Sequence, residues 1–230
     1  MARPKRSAQI VDLQGAIKDN AWKQIAEYGA PGLSLRGVAR ALKITAPAIY
    51  HYFPSHNHLV TALVADAFTS FAEALEIARD ACAPDDHAGR FRAISLAYRQ
   101  WGVSHPQRYM LIFGTSIPDY EESEESSAAG QRSFMVLVGV LGEAQRAGKI
   151  RLPGGYISWT PALQEHLQAV CNVVVPYEPV VLYLALEAWS KIHGLTSLEL
   201  YGHLANFMGT TVEDFIQTEV NGYMKVLGLG

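Results

Sequence analysis

Hydrophobic residues recur at helical spacing along nearly the whole chain, and almost no segment alternates apolar and polar positions as a strand would. Near the start, Leu13, Ile17, Ala21 and Ile25 follow one another at intervals of four, so they share one helix face. Gly29, followed by a proline and a second glycine, ends this helix. The pattern predicts an all-α protein that begins with an amphipathic helix.

Two short helices are predicted directly after the first one. Ser34 is a candidate cap for a helix over Leu35–Leu42, and Thr45 is a candidate cap for a helix over Ala46–Tyr52. Pro47 falls in the first turn of the second helix, where a missing N–H costs little, and Pro54 stops it. Such a pair predicts a helix-turn-helix packed on the first helix. Seven apolar positions are predicted to face inward: Leu35, Val38, Ala39, Leu42, Ile44, Ile49 and Phe53.

The rest of the chain is also predicted to be helical. Ser55 caps a long helix that reaches Asp80, and the acidic, serine-rich run 121–127 is either a loop or a helix N-terminus. Further helices are predicted over 88–104, 106–113, 128–147, 160–173, 178–206 and 212–227, the last opened by Thr210 or Thr211. We therefore expect a three-helix helix-turn-helix domain over residues 1–54 and a larger helical bundle over residues 55–230.

Composition excludes several classes of protein. With 49% hydrophobic and 18% charged residues among 230, the chain is not a disordered one. It contains no uninterrupted run of about 20 predominantly apolar residues, so no membrane span is predicted. The basic N-terminus precedes no apolar block of signal-peptide length, which favours a cytoplasmic protein. Cys82 and Cys171 are too few for a disulfide framework and are expected to be buried thiols.

Charge is distributed unevenly along the chain. Residues 1–60 contain eight lysines or arginines and three acids, a charge of +5, whereas the remaining 11 basic and 19 acidic residues give −8. A basic small domain joined to an acidic larger one suits binding of a phosphate backbone by one end of the molecule.

The predicted third helix presents a surface that suits the major groove of DNA. Its outward positions include Thr45, Ala46, Pro47, Tyr50 and His51. Small residues at a helix start allow close approach to base edges, while hydroxyl and imidazole groups hydrogen-bond to bases and phosphates. The alternative is an ordinary helical hairpin with exposed aromatic side chains.

Other chemistries find less support in the sequence. His51, His56 and His58 lie close together, but residues two apart do not share a helix face and no acid or cysteine joins them, so no metal site is predicted. No cofactor is predicted, and the common nucleophile, phosphate-loop and zinc-hydrolase motifs are missing, so we do not expect an enzyme. A helical adaptor whose basic end binds an acidic partner remains an alternative to a DNA-binding regulator.

Residues 10–60 resemble the DNA-binding domain of the TetR family of transcriptional regulators. The resemblance lies in Ser34, in Val38 followed by Ala39, and in the run from Ala46 to Phe53. It implies that Tyr50 holds a backbone phosphate and that Thr45, Ala46, Pro47 and His51 face bases or nearby phosphates. The full set of expected DNA contacts is Ser34, Arg36, Thr45, Ala46, Pro47, Tyr50, His51 and His56, with Arg3, Lys5 and Arg6 as a basic arm.

Three residues depart from the family pattern. Lys43 stands where a turn glycine is usual, which predicts a slightly different turn. Gly37 replaces the acidic residue that completes a capping box with Ser34, which predicts a weaker second helix. His56 replaces a phosphate-binding lysine or arginine, so DNA affinity is expected to be lower or pH-dependent.

The C-terminal part resembles a TetR subgroup with a W-x-x-x-H-G signature, carried here by Trp189, His193 and Gly194. The family resemblance implies a homodimer, most often a repressor, on a pseudo-palindromic double-stranded DNA operator, together with a small effector. Because few charges are interleaved among the aromatic residues of the larger domain, we expect this effector to be mostly apolar. Helices over 180–204 and 212–227 are expected to form the dimer. The expected ligand contacts, for which a purely structural core role is the alternative, are Tyr98, Trp101, Tyr109, Phe113, Phe134, Trp189 and His193.

Overall fold

The structure is a computed structural model that describes residues 12–114, 120 and 123–230, and within these ranges the chain is all-α, without a strand. The predicted fold class is confirmed. The helices are α1 Leu13–Tyr28, α2 Leu35–Leu42, α3 Ala46–Tyr52, α4 His56–Asp80, α5 His87–Ser104, α6 Pro106–Phe113, α7 Glu124–Arg146, α8 Pro161–Val173, α9 Pro179–Leu200, α10 Ala205–Met208 and α11 Val212–Leu227.

The chain divides into two compact units. One consists of the described part of residues 1–67 and 107–127, and the other of residues 68–106 and 128–230. The division falls within α4, whereas the sequence placed the domain boundary at 54/55. The first turns of α4 belong with the helix-turn-helix because Leu59 and Leu63 are fully buried, and because Lys18 of α1 forms a 2.8 Å ion pair with Asp66.

The first unit is built on the packing of α1, α2 and α3. The apolar face of α1, formed by Ile17, Ala21 and Ile25, is buried as predicted. Five of the seven predicted inward positions of the helix-turn-helix are buried, while Leu42 and Ile44 are half-buried. The apolar spacing therefore identified the inner faces of all three helices.

In the second unit, α9 packs against α5, α8 and α11, and α11 also packs against α5. The apolar side chains of α11 lie inside this unit, and its exposed positions are mainly polar or charged. The expected dimer surface on the helices over 180–204 and 212–227 stays a prediction. The buried side chains of α11 are Ile216, Val220, Tyr223, Met224 and Leu227.

Some element boundaries differ from the expected ones. The acidic run opens α7, with Glu124 and Glu125 in its first turn, where carboxylates stabilise the helix dipole. The helix predicted over 178–206 ends at Leu200 because Gly202 adopts a φ of 76° and turns the chain.

Two side-chain expectations are corrected by the structure. The hydroxyl of Thr45 forms no cap hydrogen bond, and neither does that of Thr211. Cys82 and Cys171 are partly exposed and not fully buried, although partial burial raises the pKa of the Cys171 thiol. None of the described helices combines the length and the apolar character that crossing a bilayer requires.

Candidate functional site

The two sides of α3 differ sharply in burial. Ile49 is fully buried, whereas Tyr50 and Tyr52 expose 42% and 40% of their surface. Thr45, Ala46, Pro47 and His51 are also exposed, as expected, while Ala48 is half-buried. The ring of His51 packs edge-on against Tyr52 at 5.3 Å. The helix therefore offers a surface of small, hydroxyl-bearing and imidazole side chains to a partner.

The start of α3 depends on backbone geometry. Thr45 is extended, its carbonyl accepts a hydrogen bond from Ala48 N at 3.0 Å, and Pro47 occupies the first turn. Because the Thr45 side chain takes no part in this cap, its hydroxyl stays exposed beside the predicted base-facing residues.

The turn between α2 and α3 retains the left-handed conformation that glycine usually supplies. Lys43 has φ 55° and ψ 36°, and its N–H donates to the carbonyl of Arg40 at 3.2 Å. A non-glycine residue bears a cost of about 1–2 kcal/mol in this region. Lysine in place of glycine therefore makes the turn less stable, but the turn keeps its left-handed conformation.

The cap of α2 is completed by a residue of another helix, although the capping box is missing. Ser34 Oγ accepts from Gly37 N at 3.3 Å, and Gln24 of α1 completes the cap, since its Oε1 accepts from Ser34 N at 3.0 Å. In a capping box, the third helical residue would supply that acceptor. A Cβ built on Gly37 would lie 2.8 Å from Gln24 Nε2, so the glycine provides the space that Gln24 occupies. Sequence reasoning missed Gln24, because the acceptor comes from another helix.

Cationic side chains flank this surface. Arg36, Arg40 and Lys43 are exposed, and no carboxylate in the described part of the chain forms an ion pair with them. His56, the first residue of α4, is half-buried. The predicted arm of Arg3, Lys5 and Arg6 lies outside the described residues. Charged groups suited to phosphates thus lie on α2 and on the turn before α3.

Two of the predicted ligand contacts are core residues of the second unit. Tyr98 and Trp101 expose only 5% and 4% of their surface, and both pack against Phe71 with ring centroids 4.9 Å away. Trp101 Nε1 donates to Ser70 Oγ at 3.2 Å, and the Tyr98 hydroxyl lies 2.9 Å from His193 Nδ1. Their polar atoms are therefore already occupied within the unit.

Three other predicted contacts, Trp189, His193 and Phe134, are half-buried residues of the second unit. Trp189 stacks near His193 at 5.6 Å and meets Phe134 at 6.1 Å. Burial lowers the pKa of His193, which favours a neutral imidazole at pH 7. Tyr109 and Phe113 belong to the first unit and contact each other at 5.0 Å. Two grooves of the second unit, of about 440 and 510 Å³, are lined by other residues.

Two family profiles match the chain. The profile described as bacterial regulatory proteins, tetR family, covers residues 17–63, and the one described as the tetracyclin repressor-like C-terminal domain covers residues 91–223. The chain belongs to the TetR family. Among its relatives, the HTH-type transcriptional regulator Rv1816 of Mycobacterium tuberculosis is 29% identical over 202 residues, which are 87% of this chain and 83% of the relative.

Solved structures agree with membership of the TetR family. A crystal structure described as that of regulatory protein SCO4313 is 30% identical, with a TM-score of 0.76 over 93% of this chain and 95% of the other. A protein described as of unknown function from Rhodococcus sp. RHA1 has a TM-score of 0.73 over 99% of this chain and all of the other, and at 23% identity it shows the fold alone.

Membership of the TetR family decides between the two functions considered. The chain is a DNA-binding transcriptional regulator, and the helical adaptor is not favoured. The TetR family is one of regulators and not of enzymes. The match over residues 17–63 includes the whole helix-turn-helix. The exposed outer face of α3 is consistent with DNA binding by this motif.

Proposed function

We propose that this TetR-family protein is a ligand-responsive repressor that binds a pseudo-palindromic operator as a homodimer. The observation that carries the proposal is the exposed face of α3, where Tyr50 and His51 stand opposite the fully buried Ile49. A helix held in this way can enter the major groove without disturbing its own domain.

The roles proposed for the individual residues follow their positions. Tyr50 donates to a backbone phosphate, and Thr45, Ala46, Pro47 and His51 face base edges or the nearest phosphates. Ser34, Arg36 and His56 contact phosphates at the flanks, and the arm of Arg3, Lys5 and Arg6 adds charge that does not depend on sequence. At Ser34 both the hydroxyl and the N–H serve the cap of α2, so its phosphate contact uses the remaining hydroxyl proton.

Selection of bound fragments from random duplex DNA, followed by fluorescence anisotropy on the selected sequence, tests the operator contacts. We expect Tyr50→Ala and His51→Ala each to lose about 1–3 kcal/mol, or about 5- to 150-fold in affinity. Tyr28→Ala is the matched control, because Tyr28 is a 63% exposed tyrosine on α1. Wild-type affinity in both α3 variants would refute the assignment.

The dimer surface is proposed to lie on α8. This helix buries only Leu167, while Leu163 and Val173 expose 40% and 86% of their surface, and Val174, directly after the helix, exposes 53%. Isolated exposed apolar residues are common, but a helix that leaves most of its apolar side chains uncovered suits a second copy of the chain. Two recognition helices would then reach half-sites about 34–36 Å apart, or a multiple of that spacing.

The effector is proposed to be small and mostly apolar, and to bind at Trp189, His193 and Phe134. These residues are half-buried, and Tyr98 fixes the imidazole of His193. The signature formed by Trp189, His193 and Gly194 would then serve effector binding, and the chain would belong to the subgroup that carries it.

A thermal-shift screen of neutral apolar compounds, followed by operator release, tests the effector site. Trp189→Ala should abolish the shift given by the hits, whereas Trp159→Ala, a half-buried tryptophan outside this cluster, should retain it. To shift the protein from about 99% DNA-binding to about 1%, the effector must bind the form that releases DNA about 5.5 kcal/mol more tightly than the form that binds it. Equal shifts in both variants would show that Trp189, His193 and Phe134 are core residues only.

A further inference from the structure

The buried side of α9 contains a hydroxyl group without a hydrogen-bond partner. Thr196 is 0% exposed, and no group in the described part of the chain forms a hydrogen bond with its Oγ1. A buried hydroxyl without a partner is unfavourable, because folding removes the water that would otherwise bind it. Such groups are few in native proteins, so a bound partner is the natural reason to keep this one.

Three other hydroxyls on helices of the second unit are satisfied within their own helix. Ser95, Ser190 and Thr218 each donate to the carbonyl four residues earlier, at 2.8, 2.7 and 2.8 Å. Thr196 makes no such bond to the carbonyl of Ile192. Its hydroxyl proton is therefore available to an acceptor outside α9.

Thr196 shares a helix face with two residues of the proposed effector site. It follows Trp189 by seven residues and His193 by three, so the three positions lie within about 60° of one another around α9. The hydroxyl of Tyr98 on α5 lies 2.9 Å from His193 Nδ1, and the ring of Phe134 on α7 meets that of Trp189, so aromatic rings border this face. The proposed effector site therefore has a hydroxyl group on its most buried side.

The charged side chains beside this face are paired with each other. Arg99, which follows Tyr98, forms two hydrogen bonds of 2.7 Å to the carboxylate of Glu199, three residues after Thr196. Arg99 also lies 3.6 Å from Glu213 of α11. Because these charges compensate each other, the face suits a neutral ligand.

We propose that the effector is a neutral, mostly apolar molecule with one carbonyl oxygen, as in a ketone or an ester, which accepts a hydrogen bond from the Thr196 hydroxyl. This inference rests on the proposed effector site and adds the functional group that the site recognises. A hydroxyl can rotate to donate to such an oxygen, and a carbonyl brings no donor that would itself need a partner in apolar surroundings. A hydrocarbon of the same shape would leave Thr196 unpaired, so the site would distinguish the two molecules.

The probes are acetophenone and α-methylstyrene, in which a CH₂ group replaces the carbonyl oxygen, titrated by NMR into the full-length protein without DNA. We expect acetophenone to bind to the wild type at least about fivefold more tightly, as one hydrogen bond of ordinary strength would give. Thr196→Val replaces the hydroxyl with a methyl group and should remove this preference. Ser95→Ala, which deletes a buried hydroxyl already bonded to the Phe91 carbonyl, should retain it.

The Thr196→Val variant is expected to fold, because the substitution removes an unpaired polar group from the core and keeps the shape of the side chain. A preference for acetophenone that survives in Thr196→Val would overturn the assignment, since another residue would then donate the hydrogen bond.

Trp189→Ala separates this inference from the effector site on which it rests. If the two probes bind equally to the wild type and Trp189→Ala abolishes their binding, the role of Thr196 is wrong and the effector site stands. If Trp189→Ala leaves acetophenone binding unchanged, or if neither probe binds to the wild type, the effector site and the role of Thr196 are both overturned.

Discussion

The contact between Gln24 and Gly37 makes a testable prediction about how the DNA-binding helices are held. Gln24→Ala removes the acceptor of Ser34 N–H, which lies 3.0 Å from Gln24 Oε1. A hydrogen bond of this kind contributes about 0.5–1.5 kcal/mol net. Because the contact is exposed and water can replace the acceptor, we expect about 1 kcal/mol at most, or a fivefold loss of protection from hydrogen exchange in α2.

The effect of Gly37→Ala should depend on Gln24. Alanine is favoured over glycine in a helix by about 1 kcal/mol. The Cβ added at position 37 would, however, lie only 2.8 Å from Gln24 Nε2 and would displace the Gln24 amide. Gain and loss nearly cancel in the wild type. In the Gln24→Ala background nothing is displaced, so Gly37→Ala should stabilise α2 by about 1 kcal/mol.

Native-state hydrogen exchange of the α2 amides in the full-length chain measures all four corners of this cycle. The expected coupling between the two positions is about 1 kcal/mol. Gly37→Glu combined with Gln24→Ala should restore protection, because a glutamate at the third helical position supplies the missing acceptor from within α2. Additive effects, with a coupling below about 0.3 kcal/mol, would refute the cap by Gln24.

Three further predictions follow from single observations. Lys43→Gly should stabilise the helix-turn-helix by about 1 kcal/mol in urea unfolding, because φ is 55° at this position, and an unchanged stability would contradict this. The same change removes a cation, so the slope of log affinity for DNA against log salt concentration should become shallower by about one. The pKa of His193 is lowered from 6.5 in the folded state, so the unfolded chain binds the extra proton first and stability falls as the pH drops below about 6.5. The wild type should therefore lose more thermal stability than His193→Gln between about pH 7.5 and 5.5. Parallel losses in the two proteins would contradict this. Val173→Glu should yield a monomer in sedimentation at about micromolar concentration, whereas Asn221→Glu, on the exposed face of α11, should remain dimeric. The reverse result would show that the dimer interface lies on α11 and not on α8.

The elements that depend on neighbouring residues could be read from the sequence. The bounds of α2, α3 and α6 agree with the predicted ones, because the spacing of apolar positions and the prolines act within one or two helical turns. The exposed face of α3 follows in the same way, since burial of Ile49 places Tyr50 and His51 outside. The sequence predicted a slightly different turn at Lys43, whereas the structure keeps the left-handed conformation that glycine usually supplies.

Tertiary structure decided the features that join distant parts of the chain. Gln24 caps a helix ten residues further on, and Tyr223 reaches Glu187 across 36 residues, so no local pattern marks either contact. The apolar face of α11 was expected to be free, but folding buries it against α5 and α9, whereas α8 and α9 each keep exposed apolar side chains. A sequence displays which residues are apolar and how they are spaced, whereas the choice between burial within the chain and exposure to a partner depends on which helices pack together.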